Sequence, residues 1–181
     1  MKNKVLAAAI FSALFLLTGP SSWAAEYQHH LKIKDMDFSW NLKESTMDIM
    51  ISAKTTGWVG IGFNPEKAML GANIILGYVK KGKVKIEDHF GHQKRAHQSD
   101  KKQGGKDHIA NPEGSEENGV TTLSFTIPLD SGDQFDPPIN SDGKNILIFA
   151  YGGKRDSLKS RHGFRTTWEV NLKTGEGKKL R

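Results

Sequence analysis

Met69 lies in an unusual place for a methionine, on a predicted turn between two strands. A glycine-rich strand from Gly57 to Phe63 precedes it, and a second strand begins at Asn73. The thioether is a soft, weak ligand, so the sequence leaves two interpretations open. Met69 either folds back onto the core as packing, or it binds haem iron axially, opposite a histidine.

Histidines in the middle of the chain form a second candidate site. His89, His92 and His97 lie close together in sequence, and His108 follows. Three imidazoles so placed are able to coordinate zinc or copper. Their spacing matches no compact metal motif, however, and a solvated polar loop is the ordinary explanation. Any of the four is also an alternative histidine ligand for an iron opposite Met69.

The elements that must position these side chains are β-strands. The segment from Met47 to Ala53 alternates apolar and polar residues, which predicts a strand with one buried face. Further strands are predicted at 28–34, 36–42, 58–63, 73–79, 83–90, 120–128, 145–151 and 166–172. The polar stretch 91–119 is predicted as a long loop with at most one short element. Many short strands without helical periodicity predict an all-β fold, a single-domain, immunoglobulin-like β-sandwich.

The amino terminus has the pattern of an export signal. Lys2 and Lys4 precede an apolar run from Val5 to Leu17, and small residues at Ser22 and Ala24 suit a signal peptidase. We therefore expect residues 1–24 to be removed, leaving a domain of residues 25–181 in the periplasm or secreted. The apolar run is too short to span a bilayer comfortably, so no transmembrane segment is expected in the mature chain.

Composition narrows the classes of function. The chain has no cysteine, which excludes disulfides, thiolate metal sites and covalent haem attachment through Cys-x-x-Cys-His. Its formal net charge is +6, with the lysines and arginines gathered in short runs. An exported protein without interleaved aromatic and basic residues is not expected to bind nucleic acid. The basic runs are either a solvated surface or a docking surface for an acidic redox partner or a membrane.

An ordered set of landmarks resembles the DOMON domain family, which includes the cytochrome domain of cellobiose dehydrogenase. The set covers most of the mature chain. It consists of the Gly-Trp strand 57–63, Met69 with Gly71 behind it, the strand end 86–88, Gly104 to Asp107, the strand 122–128, Ala150-Tyr151-Gly152, and His162 before Trp168. The resemblance implies a β-sandwich able to hold one non-covalent haem b.

In haem-binding members of this family, a methionine after the Gly-Trp strand and a histidine near the carboxyl end ligate the iron. The matching positions here are Met69 and His162. Two axial ligands leave iron no open position, which suits one-electron transfer rather than catalysis. Arg161 and Arg165 are candidate partners of the haem propionates.

Trp58 and Tyr151 complete the predicted cofactor site. The sequence thus predicts an exported b-type cytochrome that passes electrons between redox partners, one of them acidic or membrane-bound.

The alternative is a haem-free DOMON module that binds a sugar or a partner protein. Five aromatic residues could stack on a sugar, although packing in the sandwich explains them as well: Trp40, Trp58, Tyr78, Tyr151 and Trp168. A hydrolase is poorly supported, because the chain has no Gly-x-Ser-x-Gly motif. Asp130, Asp133 and Asp136 are explained by turn formation.

Overall fold

The computed structural model describes residues 27–181, so the predicted signal peptide lies outside the described residues. Twelve strands and one short helix, α1 (Asp100–Gln103), make up this part of the chain. The strands are β1 His29–Ile33, β2 Met36–Leu42, β3 Thr46–Ala53, β4 Val59–Phe63, β5 Asn73–Lys80, β6 Lys83–Gln93, β7 Ala96–Ser99, β8 Ala110–Glu117, β9 Val120–Pro128, β10 Lys144–Gly152, β11 His162–Asn171 and β12 Gly177–Lys179. No helix in residues 27–181 has the length and apolar character needed to cross a membrane.

The strands form two antiparallel sheets. One has five strands in the order β1-β2-β3-β9-β8, and the other has seven in the order β12-β11-β10-β4-β5-β6-β7. The all-β sandwich expected from the sequence is therefore confirmed, and its central strands lie close to their predicted bounds.

The main core lies between the two sheets. Every second residue of β3 is buried, beginning at Met47, as the alternation in the sequence predicted. Trp40 on β2 is fully buried, and its indole N–H donates to the carbonyl of Leu172 at 2.8 Å. The indole N–H is therefore buried without being left unpaired, because the carbonyl of Leu172 accepts its hydrogen bond.

The seven-stranded sheet also buries apolar residues on its outer side. Along β4, Val59, Ile61 and Phe63 belong to the main core, so the alternating Gly60 and Gly62 face outward. A β-carbon at Gly60 would meet the β-carbon of its β5 neighbour at 2.8 Å. The glycines therefore let apolar side chains of the adjacent strands close over β4.

The stretch 91–119 is more regular than expected. The prediction of a loop with one short element is wrong, since this stretch contains the end of β6, the whole of β7, α1 and β8. The strand β8 is polar and mostly exposed, so it has no apolar alternation to reveal it. Backbone pairing with β9 holds it in the sheet.

Candidate functional site

A second apolar cluster, here called the outer patch, covers the outer side of the seven-stranded sheet. Its buried members come from β5 and from the residues directly before β4 and β5, and its partly buried members come from β5, β10 and two loops. They are Trp58, Ala72, Ile74, Leu76, Met69, Tyr78, Ile148, Ala150 and Leu158. A sheet with apolar residues on both faces needs a covering layer on each. Here the loops that carry Met69 and Leu158 supply part of the outer one.

Met69 lies on a tight turn, as the sequence predicted. The Leu70 N–H donates to the Lys67 carbonyl at 3.1 Å, and the Met69 carbonyl accepts from Ala72 at 3.1 Å. Ala68 has a φ of 57°, a left-handed conformation that is uncommon for a residue other than glycine. The turn directs the thioether side chain onto the outer patch, where it is partly buried.

Gly91 of β6 holds the Met69 turn against the sheet. Its carbonyl accepts from Gly71 at 2.7 Å, and its N–H donates to Ala72 at 2.9 Å. A β-carbon at this position would lie 1.6 Å from the Met69 carbonyl oxygen. Only glycine allows the two backbones to approach so closely.

His162 begins β11 and lies near the edge of the same face. Arg165 pairs in register with Ala150 of the outer patch, so its side chain shares that side of the sheet. The Arg165 Nη1 atom lies 3.4 Å from His162 Nε2. A guanidinium has no acceptor, so this contact is a hydrogen bond only when His162 Nε2 is the acceptor. That is the form in which an imidazole binds a metal.

The loop between β10 and β11 joins Trp58 to the segment before His162. The Trp58 indole N–H lies 3.1 Å from Ser160 Oγ and 3.2 Å from the Ser160 carbonyl oxygen. The same loop lines a cleft of about 290 Å³ with Gly153, Lys154, Arg155, Ser160 and Arg161. Three of these five residues are cationic. Arg161 therefore contributes to a basic cleft beside His162.

Tyr151 is not brought together with the other predicted site residues. It packs against the main core, on the opposite side of the sheet from Trp58. Its ring stacks on Phe164, and its hydroxyl donates to Asp35 at 3.4 Å. The other aromatic candidates divide between the two clusters, with Trp40 and Trp168 at the main core and Tyr78 at the outer patch.

His89 and His97 form a contact on the outer side of β6 and β7. Their Nδ1 atoms lie 2.8 Å apart, and His89 Nε2 lies 2.8 Å from Glu87. Burial lowers the pKa of both rings, that of His97 to about 4, with the neighbouring His89 contributing. His92, by contrast, is exposed. Both rings of the pair are therefore neutral near pH 7.

The other side of β5 and β6 carries a polar group that the sequence did not suggest. We call it the inner carboxylate cluster: Asn73, Asp88, Asp100, His108 and Asp136. Asp136 accepts from Asn73 and Ser131, at 2.8 and 2.7 Å, and contacts His108 Nδ1 at 2.8 Å. Turn formation alone therefore does not explain Asp136. Its spacing from Asp88 and Asp100 along the chain gave no signal, because the fold brings them together from separate elements.

Comparisons with known proteins identify the family to which this fold belongs. The sequence profile described as the DOMON domain matches residues 32–152, two thirds of the chain. The chain belongs to the DOMON domain family. The matched range includes Met69 and the outer-patch strands and ends before His162.

Two solved structures share the DOMON fold at low sequence identity. The cytochrome domain of Myriococcum thermophilum cellobiose dehydrogenase aligns with a TM-score of 0.60 at 14% identity. The cytochrome b domain of Coprinopsis cinerea pyranose dehydrogenase aligns with a TM-score of 0.58 at 11% identity. Each alignment covers 81% of this chain and 82% of the other.

Similar sequences occur in larger proteins. A cytochrome b561 and DOMON domain-containing protein of Arabidopsis thaliana is 44% identical over 50 residues, 26% of this chain and 13% of the relative. The human DBH-like monooxygenase protein 1 is 32% identical over 113 residues, 62% of this chain and 18% of the relative. The chain thus matches less than a fifth of the length of each of these two relatives.

Proposed function

We propose that this DOMON domain is an exported b-type cytochrome domain that binds one non-covalent haem b at the outer patch and transfers single electrons. The observation that carries the proposal is the patch itself. It is an apolar surface on the outside of a sheet that includes the Met69 thioether and Trp58, and the loop that contacts Trp58 leads to His162 and its two neighbouring arginines. Two solved structures that resemble this fold are cytochrome domains.

The side chains of Met69 and His162 are suitable ligands for haem iron. Met69 and His162 would hold the iron, and a haem bound by these two side chains would supply reversible one-electron chemistry. The Met69 thioether is a weak ligand that favours the reduced state. His162 would bind the metal through Nε2, in place of its contact with Arg165.

In this proposal the two arginines near His162 bind the haem propionates. Arg161 and Arg165 are exposed, and a guanidinium pairs well with the carboxylates of haem propionates. Trp58 would pack at the edge of the group, held by its contacts with Ser160. Tyr151 is left out, because it packs against the main core.

The basic cleft supports docking of a redox partner. Lys154, Arg155 and Arg161 line it, and Arg161 directly precedes His162 in the sequence. A negatively charged partner would therefore be steered towards the edge where the haem is proposed to lie. The partner is expected to be acidic or membrane-bound. Export to the periplasm, with removal of residues 1–24, belongs to the same proposal.

A visible spectrum of the protein purified from a haem-replete host tests this function. We expect sharp α and β bands in the reduced state, characteristic of low-spin iron. Met69→Ala should lose the low-spin bands, and His162→Ala should weaken haem retention at least about tenfold, since each removes one axial bond. Met50→Ala and His30→Ala remove the same side chains from the other sheet and should leave the spectrum unchanged.

Two results would contradict parts of the proposal. A protein that stays colourless after titration with haemin contradicts haem binding and favours the haem-free DOMON alternative. A spectrum that survives in His162→Ala but is lost in His97→Ala or His89→Ala keeps the cofactor and overturns the assigned ligand.

A further inference from the structure

The inner carboxylate cluster brings together groups that bind metal ions. Asp88 on β6 is 3% exposed, Asp136 in the β9–β10 connection is 6% exposed, and His108 precedes β8. One ligand atom from each of these three residues lies within 4.8 Å of the other two. Around an ion with ligand bonds of about 2.1–2.4 Å, two ligands lie between about 3 and 4.8 Å apart. The separations of the three groups stay within this upper limit, and an ion would replace the contact of 2.8 Å between His108 Nδ1 and Asp136.

The cluster holds three buried or nearly buried carboxyls and few groups that could neutralise them if they ionised. Asp88 and Asp100 form no salt bridge with any residue of the described chain. Burial, together with the nearby Asp136, raises the pKa of Asp88 to about 8 and that of Asp100 to about 7. Burial also raises the pKa of Asp136. His108 is the one group in the cluster that is able to carry a positive charge.

Buried oxygens without hydrogen bonds are the second, independent observation. Asp100 is fully buried, and neither of its carboxylate oxygens has a partner within residues 27–181. The same holds for Asp88 Oδ1 and for the amide oxygen of Asn73, whose amide nitrogen donates to Asp136 at 2.8 Å. Protonation of the carboxyls would not satisfy these oxygens, because a protonated oxygen at the same place would still lack a hydrogen-bond partner.

We propose that Asp88, His108 and Asp136 bind a divalent cation, with Asp100 and the amide oxygen of Asn73 facing the ion or its water ligands. A cation provides a partner for the orphaned oxygens and favours the ionised form of the carboxyls. Carboxylate and amide oxygens are ligands of Ca²⁺ and Mn²⁺, and the single imidazole also suits Mn²⁺ or Zn²⁺.

A surface cleft of about 260 Å³ is lined by Asp88 together with Glu87, Ser99, Lys101 and Asp107. The site would join β5, β6, α1 and the β9–β10 connection, so its role is structural. It requires no haem, because Asp88 and the outer patch lie on opposite sides of β6.

Thermal unfolding of the EDTA-treated protein, with Ca²⁺, Mn²⁺ or Zn²⁺ added separately, tests the proposal. At about a hundredfold excess over the dissociation constant, we expect Tm to rise by about 5–10 °C with at least one of the three ions. Calorimetric titration of the same protein should give one ion per chain. Neither measurement needs haem, and Met69→Ala should leave both unchanged, so failure here is distinguishable from failure of the proposed function.

Variants separate the site from non-specific binding. His108→Gln and Asp88→Asn should lose at least about 90% of the Tm rise. Asp100→Asn should melt at or above the wild type in EDTA, because it removes a buried carboxyl that is costly to ionise, yet gain less when the ion is added. Asp142→Asn is the matched control, since Asp142 is exposed and pairs only with Lys173.

Two outcomes would overturn the cation site. One is a wild-type Tm that moves by less than about 1 °C with all three ions. The other is a rise that persists in both His108→Gln and Asp88→Asn, which would mean that the ion binds elsewhere, for instance at His89 and His97.

Discussion

The two sides of β6 differ in chemistry although their residues alternate along one strand. Glu87 and His89 face the outer patch, with neutral imidazoles and a methionine beside apolar side chains, whereas Asp88 faces the inner carboxylate cluster. Thioether and imidazole ligands suit iron in an apolar setting, and carboxylates suit a hard cation. The alternation of a strand thus lets adjacent residues serve unrelated sites, because successive side chains point to opposite faces.

The largest effect is expected from Gly91→Ala, which adds a side chain between β6 and the Met69 turn. In Gly91→Ala the new β-carbon would lie 1.6 Å from the Met69 carbonyl oxygen. A backbone atom cannot yield as a rotamer does, so the Met69 turn must move. We expect a loss of about 3 kcal/mol in the free energy of unfolding, together with loss of the low-spin haem spectrum. Chemical denaturation and the reduced spectrum measure the two effects.

Gly153→Ala is the control for this substitution. Its β-carbon would meet nothing within 4 Å, so both stability and spectrum should stay near the wild type. A Gly91→Ala protein with wild-type stability and a normal spectrum would show that the turn is not held as described.

A pair of adjacent substitutions tests whether the two faces act independently. We expect Asp88→Asn to lose the cation-dependent rise in Tm, about 5–10 °C, and to keep the haem spectrum. His89→Gln should keep the cation-dependent rise, because its side chain lies on the other face. Melting curves with and without the cation, recorded beside visible spectra, give the comparison. Loss of both properties in either variant would mean that the faces are coupled.

The smallest expected effect concerns acid stability through His97. Its pKa is lowered to about 4 by burial and by His89, against an ordinary value of about 6.5. The unfolded chain therefore binds a proton between pH 6.5 and 4 that the folded chain does not, and stability falls as the pH falls through this window. In His97→Gln we expect this fall to shrink by about 2 kcal/mol.

Denaturation at a series of pH values measures the difference between the two proteins. Carboxyls with raised pKa values act in the opposite direction, but they are common to both proteins and cancel in the comparison. His92→Gln removes an exposed histidine and should follow the wild type. If the stability of the wild type and that of His97→Gln change with pH in parallel, the interpretation of His89 and His97 as a neutral pair is wrong.

Prediction from the sequence worked where a residue's neighbours in the chain determine its surroundings. The alternation in β3 identified its buried face, and the glycine-rich segment before Met69 indicated a strand followed by a turn. It failed for β8, because that strand is exposed and polar and is held by pairing with β9. The aspartate of the β9–β10 connection was assigned to a turn, because nothing near Asp136 in the chain shows that it meets Asn73 and His108.

The sequence by itself determined the all-β class, the turn that carries Met69 and the absence of cysteine chemistry, because periodicity and residue type are local properties. Only the tertiary structure decided which side chains share a face. Register between β10 and β11 put Arg165 beside the outer patch and Tyr151 against the main core. Packing of distant segments made the inner carboxylate cluster, since its members become neighbours only when the two sheets close.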